Sequence, residues 1–413
     1  MKARERRSVI TGMGVLSGSG EDLSTLWQSV VEGRSASRRL TRFDTEGLPT
    51  QVATELDDFE VSRFIDTKAA RRMDLCYQYG IAAASSAVRD SGLVLAALDP
   101  DRVGVALGTS LGALTSTLTT SEGLRTRGYR GAGLGALMNT HNGAGSAEIA
   151  CHLGVHGHAI TIGSGSASSN DAIGYAMDMI ELDRADVMIA GGADAPLLPI
   201  VWASMCLGRI MTRRNECPQQ AMRPFDREHD GPIVGEGAAF IVLEELERAR
   251  ARGAHIYCEA IAQGRSSEAH HTLAPHPDGT GPRSAMTQAL RRAGLNAERV
   301  GYINAHGTAT VANDVVESLA IQRVFAGRHP PVSSTKPVTG HLLGAAGALE
   351  TVIAALAIQH QTVPLTLNFD SPAPGCDLDY IRASSRSAPV KFAMNLSCGF
   401  GGANSCLLLG ALD

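Results

Sequence analysis

Short apolar runs that end in glycine or serine alternate along this chain with longer segments of helical periodicity. Ten of these runs are candidate strands, at residues 9–16, 103–107, 159–162, 186–190, 238–243, 257–262, 300–304, 332–334, 392–395 and 406–409. Helical patterns lie between them, at residues 71–91, 167–181, 283–293, 314–325 and 345–361. Strands that alternate with helices of this length are typical of a layered α/β protein.

Two segments far apart in the chain resemble each other. Residues 101–110 and residues 298–310 both begin with an acidic residue followed by Arg-Val-Gly, and both contain Gly-Thr near their ends. A sequence similarity of this length also arises by chance. If it records a duplication, two similar α/β halves pack together. We place the division at residues 253 and 254, with a first half of residues 1–253 and a second half of residues 254–413.

Composition narrows the class of protein. A net charge of -5 argues against a nucleic-acid partner, because such proteins usually carry a basic excess. Eight cysteines without a single C-x-x-C pair favour reduced thiols in the cytoplasm and predict no structural zinc or other metal site. No apolar stretch approaches the roughly 20 residues of a membrane span. The basic start, residues 1–7, precedes a run broken by glycines, which favours a first strand over a signal peptide.

The first candidate site residue is Ser166. The sequence Gly163-Ser-Gly-Ser166 follows a candidate strand and opens a helix, so its small residues permit a sharp turn. Such a turn places the Ser166 side chain over the helix N-terminus, where free N–H groups favour negative charge. A small-residue helix cap without chemistry explains the segment equally well.

Two histidines and a lysine follow later strands. His306 stands in Asn-Ala-His-Gly-Thr, and Lys336 and His341 share one segment after the next strand. We predict that a helix begins at His341. The dipole of that helix would lower the pKa of the imidazole and keep the ring neutral. A single histidine is usually structural. Active sites of α/β proteins usually lie at the ends of strands, so three such side chains there indicate a site.

A glycine-rich turn, residues 397–402, connects the last two candidate strands and contains Cys398 and Phe400. It lacks the helix and the lysine of a P-loop, so we do not predict phosphate binding. Its glycines would let backbone N–H groups approach a substrate carbonyl, although a plain hairpin turn is an equally good interpretation.

These motifs together resemble the β-ketoacyl-ACP synthases of type II fatty-acid and polyketide synthesis, in the thiolase-like superfamily, over essentially the whole chain. Further matching segments begin at Val9 (VITGMG), Ala190 (AGGA), Arg223 (RPFD) and Gly235 (GEGA). The resemblance implies a five-layered αβαβα thiolase-like fold built from two duplicated halves, and a homodimer. It also implies a substrate carried on the phosphopantetheine arm of an acyl carrier protein (ACP), with no cofactor of the enzyme's own.

The resemblance assigns roles to individual residues. In the family, the histidines at the positions of His306 and His341 hydrogen-bond the enolate oxygen that develops as malonyl thioester loses carbon dioxide. Lys336 is expected to orient the site through a carboxylate, with Glu317 as its partner and Asp314 as further support. The remaining matching residues, Thr308 and Thr310, are expected to hold the pantetheine arm.

Two departures from the family pattern decide the expected reaction. Condensing members carry cysteine at the position of Ser166, and related synthases usually carry a gating phenylalanine at the position of Cys398. An alkyl hydroxyl titrates far above a thiol, whose pKa is near 8.5, so acyl transfer onto Ser166 should be impaired. The pattern resembles the decarboxylase ketosynthases of polyketide β-branching cassettes, which convert malonyl-ACP to acetyl-ACP.

Three alternatives stay open. The chain could be a condensing enzyme in which an engineered Ser166 replaces a native cysteine. It could be an acyltransferase that uses Ser166 as nucleophile and His306 as base. It could also be a non-catalytic partner subunit like a chain-length factor, although such subunits generally lack the histidine pair.

A basic cluster suggests the partner surface. Lys68, Arg71 and Arg72 are spaced to share one helix face. Most such clusters are merely solvated. These positions match the family's docking patch for the acidic carrier protein, so we expect ACP to bind there.

Overall fold

The computed structural model describes residues 6–412 of the chain. Residues 1–5 of the basic start and residue 413 of the second half lie outside this range. The strands are β1 (Ser8–Ser17), β2 (Arg38–Arg39), β3 (Val52–Ala53), β4 (Val103–Gly108), β5 (Ala159–Ile162), β6 (Val187–Asp194), β7 (Gly237–Glu245), β8 (Cys258–Ser267), β9 (Tyr302–Asn304), β10 (Val332–Ser333), β11 (Thr362–Val363), β12 (Arg386–Ser387), β13 (Phe392–Gly399) and β14 (Ala403–Gly410). The α-helices are α1 (Leu23–Glu32), α2 (Thr67–Ala70), α3 (Leu75–Ser91), α4 (Leu114–Arg127), α5 (Ala136–Asn139), α6 (Ala144–Leu153), α7 (Ser168–Glu181), α8 (Pro199–Leu207), α9 (Leu246–Ala251), α10 (Thr280–Ala293), α11 (Val311–Val324), α12 (Lys336–Thr339) and α13 (Ala346–His360).

Ten strands form one mixed sheet in the order β10-β9-β13-β14-β8-β1-β7-β6-β4-β5. Each of the ten apolar runs singled out in the sequence contributes one of these strands, so those predictions are confirmed. The remaining strands pair as two short ribbons, β2 with β3 and β11 with β12. β1 runs beside β7 over almost its full length but beside β8 only at Ser8, Val9 and Ile10. The sheet therefore consists of two five-stranded parts joined along a short seam.

The two parts have the same topology. Numbered within its own half, each part has the strand order 3-2-4-5-1, and each combines parallel inner pairs with an antiparallel pair of late strands. The echoing segments noted in the sequence fall on β4 and β9, the second strand of each half. The fold is thus built from two duplicated halves, as expected. The division at residues 253 and 254 stays a prediction, and it falls in the connection between α9 and β8.

Five layers result from packing helices on both faces of these strands. One apolar cluster joins α3 and α6 to the outer face of the first half, and another joins α10 and α11 to the outer face of the second. Between them, a central cluster buries α7 and α13 against strands of both halves. The αβαβα arrangement is therefore confirmed.

Helix α13 is buried from Ala346 to Ile358. The segment Leu343–His360 is long and apolar enough to cross a membrane by length and composition, but 89% of that window is buried inside the protein. Small residues allow the close contact with α7: a Cβ atom at Gly347 would lie 2.6 Å from Asn170 Oδ1. Close packing of this kind needs glycine at the contact.

The helix predicted to begin at residue 71 begins at Leu75 instead. Asp74 caps it, because its carboxylate accepts hydrogen bonds from the backbone N–H groups of Cys76 at 2.9 Å and Ser116 at 2.7 Å. Arg71 and Arg72 lie in the turn before this helix, whereas Lys68 lies in the single turn of α2. All three basic side chains are exposed, but the prediction that they share one helix face is wrong.

Candidate active site

Ser166 stands at the apex of the turn between β5 and α7. Gly165 adopts a left-handed conformation, with φ of 61°, which glycine accepts without strain. The Ser168 hydroxyl accepts a hydrogen bond from Ser164 N at 2.9 Å and donates one to Gly165 O at 2.6 Å. A further bond joins the Ser164 hydroxyl to Asp171 at 2.7 Å. The sharp turn predicted from the sequence is present, and side-chain hydrogen bonds fix it.

The structure brings Ser166 and both predicted histidines together. Ser166 Oγ lies 2.9 Å from His341 Nε2. The rings of His306 and His341 are nearly perpendicular, at 82°, with their centroids 5.4 Å apart. Ser166 belongs to the first half of the chain and the histidines to the second, so the site forms where the two halves meet.

His341 does not begin a helix. The short helix α12 ends at Thr339, because Gly340 after it has a φ of 73°, and α13 begins at Ala346. His341 instead pairs with the extended segment beside it: its backbone N–H donates to Ile233 O at 2.8 Å, and Gly235 N–H donates to His341 O at 3.0 Å. The helix-dipole argument for His341 is therefore wrong, and another cause must keep the ring neutral.

That cause is burial together with a neighbouring cation. Burial, reinforced by the Lys336 ammonium, holds the pKa of His341 well below its usual range. Burial, Lys336 and His341 do the same to the pKa of His306. The Nδ1 atom of each ring has no hydrogen-bond partner within residues 6–412. Both rings are thus neutral, and a ring in the Nε2–H tautomer can donate to an oxyanion.

Lys336 pairs with Glu350, not with Glu317. The Lys336 ammonium and the Glu350 carboxylate form an ion pair whose side chains are 0% and 2% exposed. The chain turns back between α12 and α13, which carries Glu350 to Lys336 across fourteen residues of sequence. Burial raises the pKa of Glu350 to about 6, although the Lys336 ammonium acts in the opposite direction. The expected carboxylate partner exists, but the sequence identified the wrong residue.

Glu317 fixes the loop that carries His306. Its two carboxylate oxygens accept hydrogen bonds from His306 N at 2.6 Å and Gly307 N at 2.8 Å, and Asn313 Nδ2 donates to it at 3.2 Å. Burial raises the pKa of Glu317 to about 7, and these backbone hydrogen bonds oppose that rise. Glu317 therefore supports the site through the backbone, rather than through Lys336.

Asp314 supports a neighbouring segment. It is fully buried and accepts hydrogen bonds from Phe225 N at 2.7 Å and His229 Nδ1 at 2.9 Å. Phe225 has a φ of 64°, a conformation that bulky residues rarely adopt, so this bond helps to hold a strained backbone. Neither Asp314 nor Glu317 lines the cavity described next.

A cavity of about 540 Å³ opens in front of Ser166, His306 and His341. One part of its wall is apolar and the other carries hydroxyl, amide and carboxylate groups. The apolar lining includes Leu111, Met205, Ile210, Met211, Pro232, Val234 and Leu343. Thr308 and Thr310 line the other part, with their hydroxyl oxygens 3.2 Å apart.

Cys398 and Phe400 also line this cavity. Burial raises the pKa of the Cys398 thiol well above its ordinary value, so the sulfur is protonated at neutral pH. Phe400, at the cavity wall, is 53% exposed. Lys336 lies behind the wall, and Lys68, Arg71 and Arg72 lie outside the cavity.

Asp194 is a supporting residue that the sequence analysis missed. It ends β6 and accepts hydrogen bonds from the Thr109 hydroxyl at 2.8 Å, from Ser110 N at 2.9 Å and from Gly344 N at 2.7 Å. Burial raises its pKa to about 6, and these hydrogen bonds oppose that rise. Asp194 thus joins the loop after β4 to the segment after His341. The sequence feature that could have identified Asp194 is an acidic residue at the end of an apolar strand, directly after the AGGA motif that begins at Ala190.

A second missed group joins α7 to β13. Asn395 Nδ2 donates to Asn170 Oδ1 at 3.1 Å and to Thr351 Oγ1 at 2.8 Å, and Asn170 Nδ2 donates to Ser397 Oγ at 3.1 Å. These side chains are fully buried. They fix the turn that presents Ser166 relative to the end of β13, which carries Cys398, and to the hairpin turn after it, which carries Phe400.

Family comparison places the whole arrangement among known proteins. Residues 5–249 match the model of the β-ketoacyl synthase N-terminal domain, and residues 257–370 match that of the C-terminal domain. The chain is 41% identical over 412 residues to 3-oxoacyl-[acyl-carrier-protein] synthase 2 of Coxiella burnetii (strain RSA 493 / Nine Mile phase I), covering 98% of each sequence.

Two solved structures share the fold over nearly the full chain. One is a chain of the ishigamide ketosynthase/chain length factor, at 35% identity and a TM-score of 0.92, covering 99% of this chain and 100% of that one. The other comes from a type II polyketide acyl-carrier protein in complex with its ketosynthase bound to the hexaketide. It has 31% identity and a TM-score of 0.90, with the same coverage.

Proposed function

The chain belongs to the β-ketoacyl synthase family, and we propose that within this family it decarboxylates malonyl-ACP to acetyl-ACP instead of extending an acyl chain. Enzymes of the family take substrates on the phosphopantetheine arm of an acyl carrier protein and have no cofactor of their own. In the proposed reaction the substrate is still carried by ACP, and only the chemistry at the thioester differs from that of a condensing enzyme.

One observation supports the proposal most directly: Ser166 Oγ lies 2.9 Å from His341 Nε2 at the position where condensing members carry their acyl-accepting cysteine. Serine needs a strong general base to become a nucleophile. His341, buried and beside the Lys336 ammonium, has a pKa well below its usual range and is a weak base. Acyl transfer onto position 166 is therefore disfavoured, whereas the histidine pair is intact.

Decarboxylation needs hydrogen-bond donors and no nucleophile, and the two histidines that can donate are retained. As the bond between the carboxylate and C2 of the malonyl group breaks, its electron pair moves into an enolate and charge collects on the thioester oxygen. Nε2–H groups of neutral His306 and His341, both buried side chains, can hydrogen-bond that oxygen. Removing one preorganised donor of this kind typically lowers kcat by roughly 100- to 1000-fold.

Condensation is the second candidate. The relatives named above are synthases, and the apolar part of the cavity has room for an acyl chain. A condensing role would require an acyl acceptor, either Ser166 itself or the thiol of Cys398 in the same cavity. A non-catalytic partner subunit is less well supported, because the histidines face the cavity beside Ser166.

The deciding experiment incubates the protein with malonyl-ACP alone and then with an acyl-ACP added. Intact-protein mass spectrometry follows both carrier and enzyme. We expect conversion of malonyl-ACP to acetyl-ACP without any acylated enzyme. A 3-oxoacyl-ACP product, or an acyl group on Ser166 or Cys398, would instead establish condensation or acyl transfer.

Two variants make the result specific. Ser166→Cys restores the family's acceptor, and gain of efficient chain extension would indicate that serine replaced a native cysteine. Cys398→Ala leaves Ser166 in place, and it should decarboxylate malonyl-ACP at the wild-type rate. Unchanged malonyl-ACP with the wild-type protein would contradict the proposed function outright.

We also propose a homodimer. β5 is an edge strand of the ten-stranded sheet, with its outer backbone edge unpaired by any other strand among residues 6–412. Exposed edges of this kind are templates for pairing with a second chain. Light scattering at micromolar concentration should give twice the 43.3 kDa mass of one chain. Supply of acetyl-ACP to a β-branching pathway is the biological role that fits this reaction.

A further inference from the structure

Decarboxylation leaves an enolate whose C2 must gain a proton, and we propose that the hydroxyl group of Ser166 donates it. This inference rests on the proposed function and adds a catalytic role for the residue that replaces cysteine. It assigns to Ser166 an acid function rather than a nucleophilic one.

Position is the first argument. In a condensing enzyme the apex side chain carries the acyl group that the enolate carbon attacks, so the apex atom must lie beside C2. In this chain the apex atom is Ser166 Oγ, which lines the cavity next to both histidines. The hydroxyl therefore occupies the place from which a group reaches the new carbanion.

The hydrogen bond to His341 orients that hydroxyl. His341 must carry hydrogen on Nε2 to act as an oxyanion donor, and in this tautomer Nε2–H donates to Ser166 Oγ across 2.9 Å. The ring then makes no demand on the hydroxyl's own hydrogen, and Ser166 lines the cavity. Because Nε2 carries a single hydrogen, it donates to Ser166 Oγ before the substrate binds, to the enolate oxygen during decarboxylation, and again to Oγ once C2 has gained its proton.

The surroundings favour a transient negative charge on Oγ. Ser166 precedes by two residues the first residue of α7, a helix of 14 residues whose positive end faces this turn. His341 Nε2–H can also donate to the alkoxide. These groups lower the energy of the state that follows proton donation.

The proposed sequence balances. The bond between C2 and the carboxylate carbon breaks, carbon dioxide leaves, and the electron pair forms the enolate. The Ser166 O–H bond then breaks as the C2–H bond forms. A water molecule from the cavity returns a proton to Oγ, and the resulting hydroxide combines with carbon dioxide to give bicarbonate. Malonyl thioester and water become acetyl thioester and bicarbonate.

Other proton-bearing groups in the cavity provide the rivals. The Cys398 thiol is protonated and lines the same space, and Ser110 is the other serine in the cavity wall. A general acid in the right place contributes typically 100- to 10,000-fold. Removing the true donor should therefore slow protonation of the enolate strongly, while removing a bystander should not.

The test measures how long the enolate survives. Malonyl-ACP is incubated with ¹³C-bicarbonate and carbonic anhydrase, which supplies ¹³CO₂ to any enolate that has not been protonated. Mass spectrometry then follows acetyl-ACP formation and ¹³C in the carboxyl group of recovered malonyl-ACP. Wild-type protein, Ser166→Ala, Cys398→Ala and the matched control Ser110→Ala are compared.

We expect Ser166→Ala to form acetyl-ACP at least about tenfold more slowly and to incorporate ¹³C into malonyl-ACP, because its enolate recaptures carbon dioxide. Neither Ser110→Ala nor Cys398→Ala should gain ¹³C exchange, because each retains the Ser166 hydroxyl that protonates the enolate. A misfolded variant would lose both signals, so gain of ¹³C exchange cannot come from misfolding. Acetyl-ACP formation by Ser166→Ala at the wild-type rate without exchange overturns the proposal, as does exchange that appears in Cys398→Ala instead. Absence of carbon dioxide release by the wild-type protein defeats the proposed function, and this inference with it.

Discussion

Lys336 and Glu350 form an ion pair that is closed off from solvent, with 0% and 2% of their side chains exposed. Removing one partner of a buried pair leaves an uncompensated charge and typically costs about 3–5 kcal/mol. We expect Glu350→Gln to lower the free energy of unfolding in urea by that amount. Asp379→Asn, which breaks the exposed pair with Arg386, is the control and should cost less than about 1 kcal/mol. Equal losses for the two variants would show that burial of the first pair has no energetic consequence.

The histidine pair should dominate turnover. We expect His306→Ala and His341→Ala each to lower kcat for malonyl-ACP decarboxylation by roughly 100- to 1000-fold, because each removes one donor to the enolate oxygen. His156→Ala changes a histidine whose side chain is 65% exposed, and it should leave kcat unchanged. Near-wild-type turnover by either site variant would remove that ring from the reaction.

The pH dependence follows from the direction of the histidine pKa shifts. Burial holds the pKa values of His306 and His341 well below the usual value near 6.5. As the pH falls through 6.5, both rings stay neutral, and they become protonated only at much lower pH. We therefore expect neither ring to titrate between about pH 8 and pH 6 in ¹⁵N NMR spectra, so that a fall of kcat/KM in this range comes from carboxylates such as Glu317, whose pKa burial raises to about 7. Titration of either ring near pH 6.5 would contradict this electrostatic description.

Asp194 should matter for stability and for activity together. Asp194→Ala leaves the buried N–H group of Gly344 and the half-buried N–H group of Ser110 without their acceptor, and loss of the buried bond alone costs about 1–3 kcal/mol. Because Gly344 lies three residues after His341, the variant should also lower kcat. Asp194→Asn keeps one acceptor oxygen and should fall between wild type and alanine in urea unfolding. Wild-type stability of the alanine variant would show that this connection is dispensable.

Carrier docking can be tested separately from chemistry. Arg71 and Arg72 are exposed, so reversal of both to glutamate should repel the acidic carrier and raise KM for malonyl-ACP with little change in kcat. The control reverses Arg250 on α9 and Arg291 on α10, which are also exposed. The same increase of KM in the control would show a general charge effect, and no increase in either variant would place docking elsewhere.

The local pattern of apolar residues was enough to locate the strands of the main sheet. Each of the ten predicted strands exists, because a buried strand must be apolar along its length and end in residues that turn easily. α4 was not predicted, since only Gly123 of its fourteen residues is buried and its sequence has almost no apolar periodicity. The helix expected from residue 71 starts later for a different reason: α2 ends at Ala70, and Asp74 caps a new helix that begins at Leu75.

The active site shows where sequence reasoning stops. Residue types at strand ends correctly indicated that Ser166, His306 and His341 would meet. The partner of Lys336 could not be found in this way, because Glu317 and Glu350 are both buried carboxylates on helices near the site. Only the path of the chain between α12 and α13 brings Glu350 to the ammonium group.

The repeated strand order gives the reactive groups a common origin. Ser166 follows the third strand of the first half, and the segment from Lys336 to His341 follows the third strand of the second half. The two loops therefore occupy equivalent positions in the two halves and face each other across the site. Because both lie on one chain, their sequences need not be the same, so one loop supplies the apex hydroxyl and its counterpart supplies the histidine beside it.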